Sequence, residues 1–138
     1  MRNALVTAVS LSFLIIATGT ARADTSLACL YMLMRVYHAE FDTCHIALSA
    51  DREERYSRMR AGMEKFIYDN AKNDPKKIIS GIENNNVRRA LQNLKSCQSN
   101  DIRSARKTMD EITTPEHQAL IENTLSVPRD PIQGDCSG

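Results

Sequence analysis

Four cysteines stand at positions 29, 44, 97 and 136, and their spacing limits what this chain can fold into more than any other feature does. Four thiols can pair in three ways, and the apolar pattern decides among them. Leu30, Leu33, Tyr37, Phe41, Cys44 and Leu48 recur at steps of three and four with no Gly or Pro among them. This predicts one helix, or rod, over residues 25–48. On such a helix Cys29 and Cys44 lie about 22 Å apart at ~1.5 Å per residue, whereas a disulfide spans at most ~7 Å between Cα atoms. They cannot pair with each other.

Three more rods follow. Ser49 or Asp51 offers an N-cap, and Asp51 with Glu54 reads as a capping box, opening a rod over 50–73 whose inner stripe is Tyr56, Met59, Met63, Phe66 and Ile67. Asp74-Pro75 restarts the chain, since Asp caps and Pro suits the first helical position. Ile78, Ile79, Ile82, Val87, Ala90, Leu91, Leu94 and Cys97 then mark a rod over 75–97. Asn84, Asn85 and Asn86 compete for backbone hydrogen bonds, and a kink or short break is expected there. Ser99-Asn100-Asp101 opens the fourth rod, 100–126, with Ile102, Ala105, Met109 and Ile112 inward. Thr114-Pro115 breaks it once before Leu120, Ile121, Thr124 and Leu125. Connections of a few residues make neighbouring rods antiparallel. The expected fold is all-α, a four-rod up-down helical bundle with its third and fourth rods each broken once.

That topology chooses the disulfides. Cys44 ends the first rod and Cys97 the third, both at the top of the bundle. Cys136 arrives after the fourth rod has descended towards Cys29. The expected pairs are Cys44–Cys97 and Cys29–Cys136, each worth at most roughly 4 to 5 kcal/mol by chain entropy.

Disulfides require an oxidising compartment, and the first 23 residues supply the address. Arg2, an apolar run from Ala4 to Ala17, and small residues at Ala21 and Ala23 have the three parts of an export signal, with cleavage expected before Asp24. The run is about 14 residues against the ~20 a membrane-spanning helix needs, so no permanent membrane anchor is expected. Ser26-Leu27-Ala28-Cys29 has the look of a lipoprotein site, but Arg22 and Asp24 interrupt it, and lipidation would leave an odd number of thiols. The chain thus divides into a signal peptide, 1–23, a helical domain, 24–127, and an irregular C-terminal tail, 128–138, in which Pro128, Pro131 and Gly134 exclude helix and Cys136 ties the end back. A periplasmic or secreted location follows.

Without Arg2 and Arg22 the chain carries 16 basic and 17 acidic side chains, and the full sequence has only seven aromatic residues and no Trp. Nucleic-acid binders carry a basic excess and stacking aromatics, so no nucleic-acid partner is expected. No Gly-x-Ser-x-Gly turn, C-x-x-C pair or Gly-rich phosphate loop occurs, so no catalytic residue or cofactor-binding motif is assigned, and Arg88-Arg89 and Arg106-Lys107 read as solvated helix faces.

One constellation could carry chemistry. His38, Asp42 and His45 stand at i, i+4 and i+7 of the first predicted rod, a donor set suited to Zn²⁺ or another divalent transition metal. The two histidines are about 10.5 Å apart along the axis, and a solvated flank of ordinary helix contacts competes with the metal site. Met32, Met34, Met59, Met63 and Met109 lend adaptable apolar surface, with Tyr31 and Met34 the candidates for an exposed patch. The expectation is a non-enzymatic exported module that binds another protein of the cell envelope, with divalent-metal binding as the alternative.

Overall fold

A computed structural model describes residues 25–136, so the expected export signal, 1–23, lies outside the described residues. Helices dominate them: α1 (Leu27–Thr43), α2 (Ala50–Asn70), α3 (Pro75–Gly81), a π-helical segment (Ile82–Val87), α4 (Arg88–Asn93), α5 (Asn100–Ile112) and α6 (Pro115–Leu125). No strand forms among them; one isolated bridge pairs Thr25 with Asp135. Because α3, the π segment and α4 run on without interruption, the helices make five rods, the last two separated at Thr113 and Thr114.

α1 is the hub. It packs against the π segment, α4, α5 and α2, while α2 in turn holds α6 and α3. A helix apolar on most sides is buried on most sides, and no residue of α1 from Leu27 to Phe41 is fully exposed. The expected stripe of Leu30, Leu33, Tyr37 and Phe41 is therefore only part of its buried surface. Leu27, Tyr31, Met34 and Phe41 lie deepest, each 1–2% exposed. α2 buries the expected set, Tyr56, Met59, Met63, Phe66 and Ile67, and α5 likewise buries Ile102, Ala105, Met109 and Ile112. Tyr31 and Met34 are thus core, not an exposed patch, and Met59, Met63 and Met109 sit beside them. A fully buried side chain of this size contributes about 1.5–3 kcal/mol.

Three local expectations differ. α1 stops at Thr43 instead of reaching residue 48, because the chain makes a Schellman turn: the Ile46 N–H donates to the Phe41 carbonyl and the His45 N–H to the Asp42 carbonyl. His45 takes the left-handed position, φ 54°, usually filled by glycine. Ser49 is the N-cap of α2, yet its side chain makes no cap hydrogen bond, and no Asp51–Glu54 box forms. At the asparagines the rod is widened, not broken. The Arg88 N–H reaches back five residues to the Glu83 carbonyl, and the extra residue in the turn leaves Asn84, Asn85 and Asn86 in solvent with Ile82 and Val87 inside. The other restarts form as expected: Asp74, Ser99 and Thr114 each accept a hydrogen bond from the first turn of the following helix.

The disulfides join Cys29 to Cys136 and Cys44 to Cys97, with Cα separations of 5.4 and 5.5 Å. The Cys29 sulfur is thereby engaged with Cys136, and all four cysteines are paired. The tail beyond α6 is irregular and closes over the start of α1. The Pro131 carbonyl accepts from the Ala28 N–H at 2.9 Å and the Ser26 hydroxyl at 2.9 Å, and the Asp135 carbonyl accepts from the Ser26 N–H at 3.0 Å. These bonds fill amide donors that the first turn of a helix leaves open.

Candidate binding cleft

Arg35, His38 and Tyr31 project from α1 into a polar seam shared with α2 and the π segment. Arg35 grips Glu83 with two hydrogen bonds, Nε to Oε1 at 2.6 Å and Nη2 to Oε2 at 3.2 Å, and a third goes to the Tyr56 hydroxyl at 2.9 Å. Burial opposes the charge on this guanidinium, but the bonds to Glu83 and Tyr56 outweigh it and hold the group firmly protonated. Tyr31 donates to Glu64 at 2.7 Å, and Arg60 donates to the same oxygen at 2.8 Å. Burial raises the Glu64 carboxyl, yet the bonds from Arg60 and Tyr31 together keep it below the usual carboxylate range. The seam is closed on itself and holds helices in register.

His38 belongs to this seam. Its ring stacks on Tyr56 with centroids 4.0 Å apart and planes 5° from parallel. Nδ1 faces Asp42 at 3.3 Å and Nε2 faces Glu53 at 3.0 Å, so a carboxylate meets each ring nitrogen. His45 is absent from this group, since the Schellman turn takes it off the helix. The expected face of His38, Asp42 and His45 therefore does not exist as a face. Among the described residues no group of three or more His, Cys, Asp or Glu side chains is placed to hold a metal ion. His117, half-buried at the start of α6, meets the Thr114 hydroxyl at 3.1 Å.

The early end of α1 creates what the sequence did not disclose. Residues 44–49, freed from the helix, form one wall of a cleft of about 270 Å³ facing α5. Phe41, 2% exposed, is its floor. Ile46, Ala47 and Leu48 add apolar lining, and Ser49 and Arg52 form the corner where α2 begins. Arg106 and Asp110, one turn apart on α5, make the opposite wall.

The charges in the cleft are unevenly matched. Arg52 donates through Nη1 to the Asp110 carbonyl at 2.6 Å and the Thr113 hydroxyl at 3.0 Å, and lies 3.4 Å from the Asp110 carboxylate. Arg55 adds a bond to the Thr113 carbonyl at 2.6 Å. Two cations from α2 thus cap the negative end of α5, which has no basic residue in its own last turn. With Arg52 and Asp110 paired, Arg106 makes no hydrogen bond or ion pair among the described residues. Cys44–Cys97 fastens the head of the loop to the connection between α4 and α5, beside the exposed Cys97.

Just behind this end lies Glu40, 7% exposed, whose Oε2 is the one buried side-chain nitrogen or oxygen without a partner among the described residues. Burial, reinforced by the negative charge of Asp101, pushes its carboxyl above the ordinary range. No helix among the described residues is long and apolar enough to cross a membrane. No protein-family model matches the chain, and neither a curated protein nor a solved structure matches it.

Proposed function

We propose that this chain is an exported, non-enzymatic helical module of the periplasm or exterior, its rods in up-down order, that binds another protein of the cell envelope through the cleft between residues 44–49 and α5. The cleft is the observation that carries the reading. It combines an apolar floor with a cation that nothing among the described residues neutralises, and a disulfide braces the head of its loop wall. Interfaces draw their strength from such pockets, where a buried anchor is surrounded by polar groups that exclude water. Export is supported by the three-part pattern of residues 1–23 and by the engagement of all four cysteines in disulfides.

Two measurements test this. Protein recovered from outside the cytoplasm should begin at Asp24, and an N-terminus at Met1 would end the export reading. A photo-crosslinking residue at Ala47, in the cleft, should give one discrete product in the envelope fraction, and the same residue at the exposed Ser80 of α3 none. Leu48→Asp should erase the Ala47 product while leaving the circular dichroism spectrum unchanged. Equal products from Ala47 and Ser80 would overturn the assignment of the cleft.

A further inference from the structure

Resting on the reading of the cleft as the binding site, we infer that its occupant is the free C-terminal residue of a partner polypeptide, an aliphatic side chain together with its own α-carboxylate, seated on Phe41, Ile46 and Leu48 with the carboxylate on Arg106.

Size sets the first limit. A cavity of about 150 Å³ holds a benzene ring, and pockets for drug-sized ligands start near ~300 Å³. At about 270 Å³ the cleft is of a size to seat one aliphatic residue with its carboxylate. Charge sets the second. Asp110 and Arg52 satisfy each other across 3.4 Å, so the lining retains one net positive charge, on Arg106, and the site favours an anion. The floor favours hydrocarbon, since Phe41, Ile46 and Leu48 offer no polar side-chain atom. Both demands fall within one residue's length. Asp and Glu carry a carboxylate on a short methylene stem without a branched aliphatic group, and internal Leu, Ile or Val carry the aliphatic group without a carboxylate. Among the residues of a polypeptide, a C-terminal aliphatic one carries both. Arginine suits the task, because its planar guanidinium can give two parallel hydrogen bonds to one carboxylate. Its side chain has no hydrogen-bond or ion-pair partner to leave among the described residues.

The test uses the full, disulfide-bonded chain and a fluorescein-labelled tetrapeptide ending in leucine, prepared as the free acid and as the C-terminal amide, with binding read by anisotropy. The acid is expected to bind at least tenfold more tightly than the amide. A tetrapeptide acid ending in glycine should lose a similar factor. Arg106→Ala should bring the acid within twofold of the amide while the melting temperature stays within about 2 °C, as expected for a change at an exposed side chain. Equal binding of acid and amide, or a preference for acid that survives Arg106→Ala, overturns the proposal. If neither peptide binds at millimolar concentration while the Ala47 crosslink persists, the cleft is a binding site for something else and this inference alone fails. Loss of the crosslink as well would remove the cleft reading on which it rests.

Discussion

The two disulfides sit in settings of opposite character. Around Cys29–Cys136 the tail lays its carbonyls over the first turn of α1, Ser26 and Pro131 are buried, and the amides of Ser26 and Ala28 both find acceptors. Around Cys44–Cys97, among the described residues, Arg106 has no partner, Cys97 lies in solvent, a cleft opens between loop and helix, and Glu40 has a buried oxygen unpaired. One staple completes an end that is already sealed. The other maintains an end that the core does not fill. Unsatisfied polar groups cost stability, and in a natural fold they concentrate where some other requirement outweighs stability.

The largest effects should come from the staples. Chain entropy assigns about 5 kcal/mol to the 107-residue separation of Cys29 and Cys136 and about 4 kcal/mol to the 53-residue separation of Cys44 and Cys97, as upper values. Urea titration of Cys29→Ser/Cys136→Ser and Cys44→Ser/Cys97→Ser should therefore show both strongly destabilised, the first more. A larger loss from the second pair would mean the open end holds the fold together, reversing the contrast. Next in size is Ser26→Ala, which deletes a buried hydroxyl that both accepts from the Cys29 N–H at 3.4 Å and donates to the Pro131 carbonyl. A cost of about 1–2 kcal/mol is expected, and a loss of under half that would show the tail to be seated by the disulfide alone.

Glu40 probes the open end by pH. Its carboxyl titrates higher in the folded chain than in the unfolded one, where it has the ordinary value of 4.5. Above that value the unfolded chain releases this proton first, so the folded state binds more protons and Glu40 makes stability fall as pH rises through the window between the two values. Glu40→Gln should flatten this slope, adding of the order of 1 kcal/mol at pH 7 and nothing at pH 4. An equal gain at both pH values would rule out the titration. Glu64, held below the ordinary range, has the opposite sign: its contribution is present above pH 4.5 and lost as pH falls through its folded value. The smallest effect belongs to Ser49→Ala. This N-cap makes no side-chain bond, so the change should stay within about 0.5 kcal/mol, although the equivalent replacement at Ser26 does not.

How far the sequence could be read followed the physics of each element. α2 and α5 are polar on one side and apolar on the other, so their stripes identified their buried faces residue by residue. α1 is apolar on most sides, and a stripe chosen from its periodicity is one of several; the choice of Leu30, Leu33 and Tyr37 passed over Leu27, Tyr31 and Met34. Its true end was hidden because His45 fills a position that glycine usually announces. The available signal was the pairing of Phe41 with Ile46 across a helix end, since a hydrophobic contact of this kind accompanies the Schellman turn. Missing that turn placed His45 on a helix face and concealed the cleft, whose wall was taken for the last turn of the rod. Arg106 passed as a solvated cation because nothing in a sequence tells which acid its neighbour Asp110 will choose. The asparagines were recognised as poor helix formers, but a π turn absorbs them and no composition rule separates that outcome from a break.

The seal over α1 also orders events in time. The opening amides and hydroxyl of α1 find their acceptors in Pro131 and Asp135, with 105 residues separating Ser26 from Pro131. Its N-terminal turn is therefore completed only when that distant tail folds back over it, so the first turn of the central helix is among the last parts of the fold to be satisfied.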